Sequence, residues 1–136
     1  MTSPLAVYVH IPFCTYKCGY CDFNAYAGLD ALKLSYGEAL VREVIANAPI
    51  LAGRTVTSIG FGGGTPSEVP PSQIGAVIAA VAGHAQMAPD AEVTLEANPG
   101  TCTAEAFREL RAAGVTRLSL GAQSFDPAEL RFLDRI

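Results

Sequence analysis

Residues 55–100 read TVTSIGFGGGTPSEVPPSQIGAVIAAVAGHAQMAPDAEVTLEANPG, and this stretch decides the fold class. Thr55 to Phe61 is rich in β-branched residues and runs into Gly62-Gly63-Gly64-Thr65-Pro66, which predicts a strand ending on a tight loop. A helix is expected from about Pro71 to His84, entered through Pro70-Pro71 or capped by Ser72. Glu92 to Ala97 predicts the next strand, halted by Asn98-Pro99-Gly100. Strands joined by a helical crossover pair in parallel, with a right-handed connection. The same alternation continues in both directions. Upstream, a strand from Ala6 to Ile11 stops at Pro12, and a loop runs to about Gly28. A helix then covers about Leu29 to Ala48, with Leu40, Val44, Ile45 and Ala48 at helical spacing, and Pro49, Gly53 and Arg54 break it. Downstream, Thr103 caps a helix carrying Phe107, Leu110 and Arg111 that ends at Gly114. Val115 to Leu120 forms the last strand, and a final helix begins near Asp126-Pro127 and is expected to be still running at Ile136.

The fold class is therefore α/β, with parallel β/α units that make part of a barrel or a small open sheet. No linker, charge run or low-complexity tract divides residues 1–136, so they read as one domain. A chain that stops inside an uncapped helix reads as a piece cut from a longer one, leaving an edge strand without its partner. Composition narrows the function. Half of the residues are hydrophobic and only 16% are charged, which excludes a solvated, disordered chain. Nine basic against 13 acidic side chains give a net charge of -4, so there is no electrostatic footprint for nucleic acid and no polybasic membrane anchor. The N-terminus lacks the charged start and cleavage site of a signal peptide, and no apolar run is long enough for a membrane span. The expected location is the cytoplasm, where the cysteines stay reduced and available to a metal.

In parallel α/β folds ligands gather beyond the carboxyl ends of the strands. The unusual residues fall at that end of all four strands: the Cys14 to Cys21 loop, Gly62 to Pro66, Glu96 with Asn98-Pro99, and Gln123. Cys14, Cys18 and Cys21 have the spacing C-x3-C-x2-C. Three thiolates on one loop suit three corners of a cubane iron–sulfur cluster whose fourth iron stays open to a small ligand. The alternatives are a zinc knuckle, with His10 or Asp22 as fourth ligand, and free thiols. Cys102 stands far from the triplet and reads as an incidental or buried thiol. Gly62-Gly63-Gly64-Thr65 offers backbone groups to a carboxylate, amine or phosphate, or else is a tight turn. Glu96 has the strand-end position of an acid that binds a ribose diol, and equally that of a salt-bridge partner. Tyr8 and His10 face the same side of the first strand, where Tyr8 either joins the core or lines a pocket.

Tyr8-Val9-His10-Ile11-Pro12-Phe13-Cys14, followed by Cys18 and Cys21, resembles the radical S-adenosylmethionine (SAM) enzymes. Within them it is similar to the branch of oxygen-independent coproporphyrinogen III oxidases and their HemW-type heme-chaperone relatives. The resemblance extends through Gly62 to Pro66, Leu95 to Pro99 and Leu120 to Phe125. It implies the first part of an incomplete TIM-like (β/α)6 barrel, with Cys14, Cys18 and Cys21 holding a [4Fe-4S] cluster. It also implies that SAM chelates the open iron and meets Tyr8, Tyr20, Gly63, Gly64, Thr65, Glu96 and Gln123. An electron from the reduced cluster would cleave the sulfonium to give a 5′-deoxyadenosyl radical. No side chain is singled out as a catalytic acid or base. The oxidases carry a further Cys two residues after the third; here that position is Phe23. The resemblance thus points to a protein with heme as cargo, heme-accepting proteins and an electron donor as partners. Oxidation of coproporphyrinogen III in porphyrin biosynthesis is the alternative.

Overall fold

The computed structural model describes residues 3–135. In chain order the elements are β1 (Ser3–Ile11), β2 (Phe13–Cys14), β3 (Tyr26–Ala27), α1 (Lys33–Ala46), α2 (Ala48–Leu51) and β4 (Arg54–Gly63). There follow α3 (Pro71–His84), β5 (Gln86–Ala97), α4 (Ala104–Ala112), β6 (Arg117–Leu120) and α5 (Pro127–Phe132). β1, β4, β5 and β6 form one sheet in that order, every pair parallel, and β2 and β3 make a small parallel ladder of their own. The expected α/β architecture of parallel units is therefore the observed one.

Alternation along the strands separates two faces. Val9 and Ile11 of β1, Ile59 and Phe61 of β4, and Val93, Leu95 and Ala97 of β5 are buried in one core with Ile74, Val77 and Val81 of α3 and Leu110 of α4. Each such aliphatic side chain contributes about 1.5–3 kcal/mol by leaving water. α3 packs between α1 and α4, which completes a helical layer over this face. The alternate residues, among them Tyr8, His10, Glu92 and Glu96, belong to the other face, and Tyr8 is 66% exposed there. Tyr8 is thus not a core residue.

Several boundaries differ from expectation for identifiable reasons. The helix expected over 29–48 is a 3-10 turn at Asp30–Leu32, then α1, then a break at Asn47 (φ -95, ψ 10). Pro49 does not end it; it sits in the first turn of α2, where a missing N–H costs nothing. α3 has the expected bounds and enters through Pro70-Pro71, without a side-chain cap from Ser72. β5 begins six residues before the expected Glu92, because Gln86 and Met87 pair with Thr55 and Val56 before the register shifts. Pro89 lies between those two paired stretches, where it displaces no ladder bond. Thr103 caps α4 by accepting from the Ala106 N–H, and Asp126 caps α5.

The final helix does not run on. α5 ends at Phe132, Asp134 takes a positive φ of 51°, and the Arg135 N–H reaches back to the Leu130 carbonyl at 2.7 Å while that of Asp134 reaches Arg131. This is a Schellman cap, so the reading of an uncapped helix is corrected. Ile136, to which that helix was expected to extend, lies outside the described residues.

Among the glycines, Gly64 has the closest backbone neighbour: a Cβ there would stand 2.5 Å from the Phe13 carbonyl oxygen. Gly64→Ala is expected to lower stability by about 1–3 kcal/mol, because backbone rather than a side-chain tip must move. Gly83→Ala, in the exposed last turn of α3 with nothing near its Cβ, is expected to raise it by up to about 1 kcal/mol. Urea midpoints of the two variants check both signs.

Candidate cofactor site

The cysteine loop is tied down at both ends. Cys14 lies in β2 and is buried, and the β2–β3 pairing closes the loop, with the Tyr26 N–H donating to the Pro12 carbonyl at 2.8 Å. Phe13, beside it, is buried and meets the Tyr36 ring edge-on at 5.2 Å, while the Tyr36 hydroxyl donates to the His10 carbonyl at 2.7 Å. Inside the loop Lys17 caps the Phe23 carbonyl, and the Cys21 N–H bonds the Cys18 carbonyl. Cys14, Cys18 and Cys21 are all free thiols.

The glycine run does not lie open as an amide cradle. Gly62 and Gly63 still belong to β4; the Gly64 N–H donates to the Ile11 carbonyl and the Thr65 N–H to the Phe13 carbonyl, each at 2.7 Å. The Gly63 N–H donates to Glu96 Oε2 at 3.3 Å. These glycines are required by close approach. A Cβ at Gly63, whose φ is 116°, would meet the His10 ring at 2.6 Å. Thr65 is fully buried; its hydroxyl donates to Cys14 Sγ at 3.4 Å and accepts from Asn98 Nδ2 at 3.1 Å.

A cavity of about 260 Å³ brings together nine of the ten expected residues: Cys14, Cys18, Cys21, Tyr20, Gly63, Gly64, Thr65, Glu96 and Gln123. Tyr8 does not line it. It is linked to the cavity wall through His10, whose Nδ1 lies 3.1 Å from the Tyr8 hydroxyl and whose ring packs on Gly63. Partial burial, then the Glu96 carboxylate, hold the Tyr8 hydroxyl above its ordinary pKa. Burial likewise raises that of Tyr20, with the Arg135 guanidinium pulling the other way. Both are neutral donors at physiological pH. Gln123 is one of two non-glycine residues with positive φ, at 67°, among the described residues.

His10 Nε2 stands 2.9 Å from the Asn24 carbonyl, which can only accept, so that nitrogen carries the proton and Nδ1 accepts from Tyr8. Both ring nitrogens are thereby engaged within the chain. Among the described residues no three His, Cys, Asp or Glu side chains converge on the point a single ion would occupy. A cluster, by contrast, spreads its thiolates over separate irons. Three free thiols on one anchored loop, opening on a cavity beside it, are a donor set that fits such a cluster. Cys102 bonds the Ser67 carbonyl at 3.3 Å and lines neither this cavity nor its neighbour.

Among the lining residues to which the sequence assigns no role, Arg135 and Asn98 make side-chain hydrogen bonds to the site. Arg135 donates through Nη1 to Cys18 Sγ at 3.3 Å and through Nη2 to Asn98 Oδ1 at 2.6 Å and to the Gly121 carbonyl. Asn98 joins Arg135 to Thr65. The sequence places Asn98 on the rim beside Glu96 but gives it no role, and a single Arg after a helix carries no pattern. A larger cavity of about 480 Å³ adjoins this one and shares Tyr16, Cys18, Asn98 and Arg135 with it.

The profile of the Radical SAM superfamily matches residues 8–136. The chain belongs to that superfamily. This radical SAM chain is 43% identical over 137 residues to the heme chaperone HemW of Mycobacterium tuberculosis, covering 98% of itself and 35% of that protein. Against Escherichia coli HemW the identity is 40%, covering 98% and 35%. A bovine radical S-adenosyl methionine domain-containing protein 1, mitochondrial, is 43% identical over 96% of the chain and 29% of its own length. The solved structure of the radical SAM enzyme coproporphyrinogen III oxidase (HemN) from Escherichia coli superposes with a TM-score of 0.90 at 34% identity, over 99% of this chain and 31% of that one. The chain thus spans about a third of the length of the relatives it matches. A four-stranded parallel sheet with this likeness is consistent with part of a radical SAM barrel. No helix among the described residues is long and apolar enough to cross a membrane.

The three thiols of this radical SAM chain differ in environment. Burial raises the Cys14 pKa; the Thr65 hydrogen bond opposes it, and Glu68, Cys21 and Cys18 reinforce it. Cys14 is buried whereas Cys21 is half-exposed. In reduced apoprotein, iodoacetamide is expected to alkylate Cys21 well before Cys14. Because the Cys14 pKa is raised, its rate keeps climbing with pH after an ordinary thiol has levelled off. Peptide mass spectrometry checks this, and equal rates at Cys14 and Cys21 would contradict it.

Proposed function

We propose that this chain is the N-terminal, cofactor-binding part of a HemW-type protein of the cytoplasm, which binds heme and delivers it to acceptor proteins. The observation that carries the reading is the convergence of three free thiols from one loop on a cavity shared with Gly63, Gly64, Thr65, Glu96 and Gln123. In this reading Cys14, Cys18 and Cys21 hold a [4Fe-4S] cluster and SAM completes its coordination. When bound, the pair supplies one-electron chemistry at the SAM sulfonium, with the electron drawn from a donor protein.

The residues of the chain bind and orient. Glu96, steadied by the Gly63 N–H, would accept hydrogen bonds from the hydroxyls of SAM. Gly63 and Gly64, whose Cβ positions are taken by the His10 ring and the Phe13 backbone, let β4 close against the cysteine loop, and Thr65 holds Cys14 from behind. Tyr20, kept protonated, would donate to SAM, and Gln123 would offer an amide from the loop after β6. Tyr8, its proton committed to His10, would act through the His10 ring that packs on Gly63. Phe23 supports the chaperone over the oxidase, since the oxidases carry a further Cys there, and so do identities of 43% and 40% to HemW against 34% to the oxidase. The second reading, oxidation of coproporphyrinogen III, is favoured by the close structural likeness to that enzyme.

Anaerobic reconstitution is expected to load iron and sulfide in about equal amounts, and Cys14→Ala to lose most of both. Equal iron in the two proteins would end the cluster assignment. The longer protein to which we assign this chain is expected to bind heme, seen as a Soret band, and to leave coproporphyrinogen III unconverted. Conversion to protoporphyrinogen without heme binding would establish the oxidase instead.

A further inference from the structure

Two of the three cysteine sulfurs are the ends of one hydrogen-bonded arc. Thr65 Oγ1 donates to Cys14 Sγ at 3.4 Å and accepts from Asn98 Nδ2 at 3.1 Å. Asn98 Oδ1 accepts from Arg135 Nη2 at 2.6 Å, and Arg135 Nη1 donates to Cys18 Sγ at 3.3 Å. The chain of donors fixes the amide orientation: Asn98 must present its nitrogen to Thr65 and its oxygen to Arg135, since a guanidinium can only donate. That leaves the Thr65 proton free to point only at sulfur. Each member is held from outside as well. Thr65 is fully buried with its N–H on Phe13; Arg135 is set by the Schellman cap of α5 and by the Gly121 carbonyl. No side-chain hydrogen bond to the Cys21 sulfur exists among the described residues, so the three thiols are unequally supported.

We propose that the arc Thr65–Asn98–Arg135 sets the reduction potential of the cluster, with Asn98 as the positioning residue that couples its two sulfur-directed donors. The inference rests on the cluster reading above. Hydrogen bonds to thiolate sulfur withdraw charge from the iron and stabilise the more negative, reduced cluster, which raises the potential. Arg135 adds a full positive charge at Cys18, and charge-assisted bonds are about twice as strong as neutral ones. Asn98 touches no sulfur itself. Its removal frees the Thr65 hydroxyl to bond elsewhere and deprives Arg135 of one of its carbonyl anchors, so one substitution weakens the support of two ligands.

The test is an EPR-monitored redox titration of the reconstituted protein without SAM, with iron and sulfide measured on each sample. Asn98→Leu and Thr65→Val are expected to retain iron and to shift the potential to more negative values; Thr65→Ser, which keeps the hydroxyl, stays near wild type. Arg135→Met shifts it in the same direction as Asn98→Leu, and the double variant adds less than the sum of the two. Wild-type potentials in Asn98→Leu and Thr65→Val at full iron content would overturn the proposal. If Asn98→Leu fails to hold iron, the comparison of Thr65→Val with Thr65→Ser decides by the same criterion. A wild type that takes up no iron overturns instead the cluster reading on which the proposal rests.

Discussion

The arrangement depends on the way β1 meets the end of β4. Successive carbonyls of an extended chain point to opposite sides. Ile11 and Phe13 turn theirs to the Gly64 and Thr65 N–H groups, while Pro12, between them, turns its own to Tyr26. One extended segment thus pairs with the glycine run on one side and with the far end of the cysteine loop on the other. Proline suits the middle position because its missing N–H is not needed there. The pairing is tight enough to exclude any Cβ at Gly64. Cys14 follows directly from this junction, so the first thiol is placed by backbone bonds to two neighbouring strands rather than by the loop.

The same junction explains why the glycine run serves geometry rather than amide donation. Its N–H groups have protein partners, and the omitted side chains leave room for the His10 ring, the Glu96 carboxylate and the Phe13 backbone. His10 occupies the space over Gly63 and connects Tyr8 to the loop at Asn24. A polar group buried without a partner costs about 1–3 kcal/mol, so the dense bonding around Thr65 and Asn98 is what makes a polar wall stable beside the core.

The parallel frame was legible because β-branched runs and Gly or Pro stops mark β1, β4 and β5, and because the crossover helix α3 carries an apolar run from Ile74 to Ala82. The start of β5 was not, since Gln86 to Asp90 has no strand character and its pairing is imposed by β4. The cysteine triplet, Glu96 and Gln123 were legible by type and by their shared position at strand ends. Arg135 and Asn98 were not, because their roles arise from contacts between residues far apart in sequence, Asn98 with Thr65 and Arg135 with Cys18. No periodicity encodes such pairs. The end of α5 was misread for a related reason: its C-terminal cap uses Asp134 where the usual signal is glycine.

Backbone strain falls where the cavity needs it. Gln123 and Asp134 are the two non-glycine residues with positive φ among those described, and both flank α5. Such a conformation costs an ordinary residue about 1 kcal/mol, and glycine at either place would avoid it. At 123, however, glycine would remove the amide side chain from the cavity wall. At 134 the left-handed turn is what redirects the chain so that the next residue, Arg135, faces Cys18 and Asn98. The strained positions are thus those that set polar side chains on the cavity wall, while the helical face of the sheet, packed with aliphatic side chains, carries none. Stability is supplied by one face of the sheet and used at its rim.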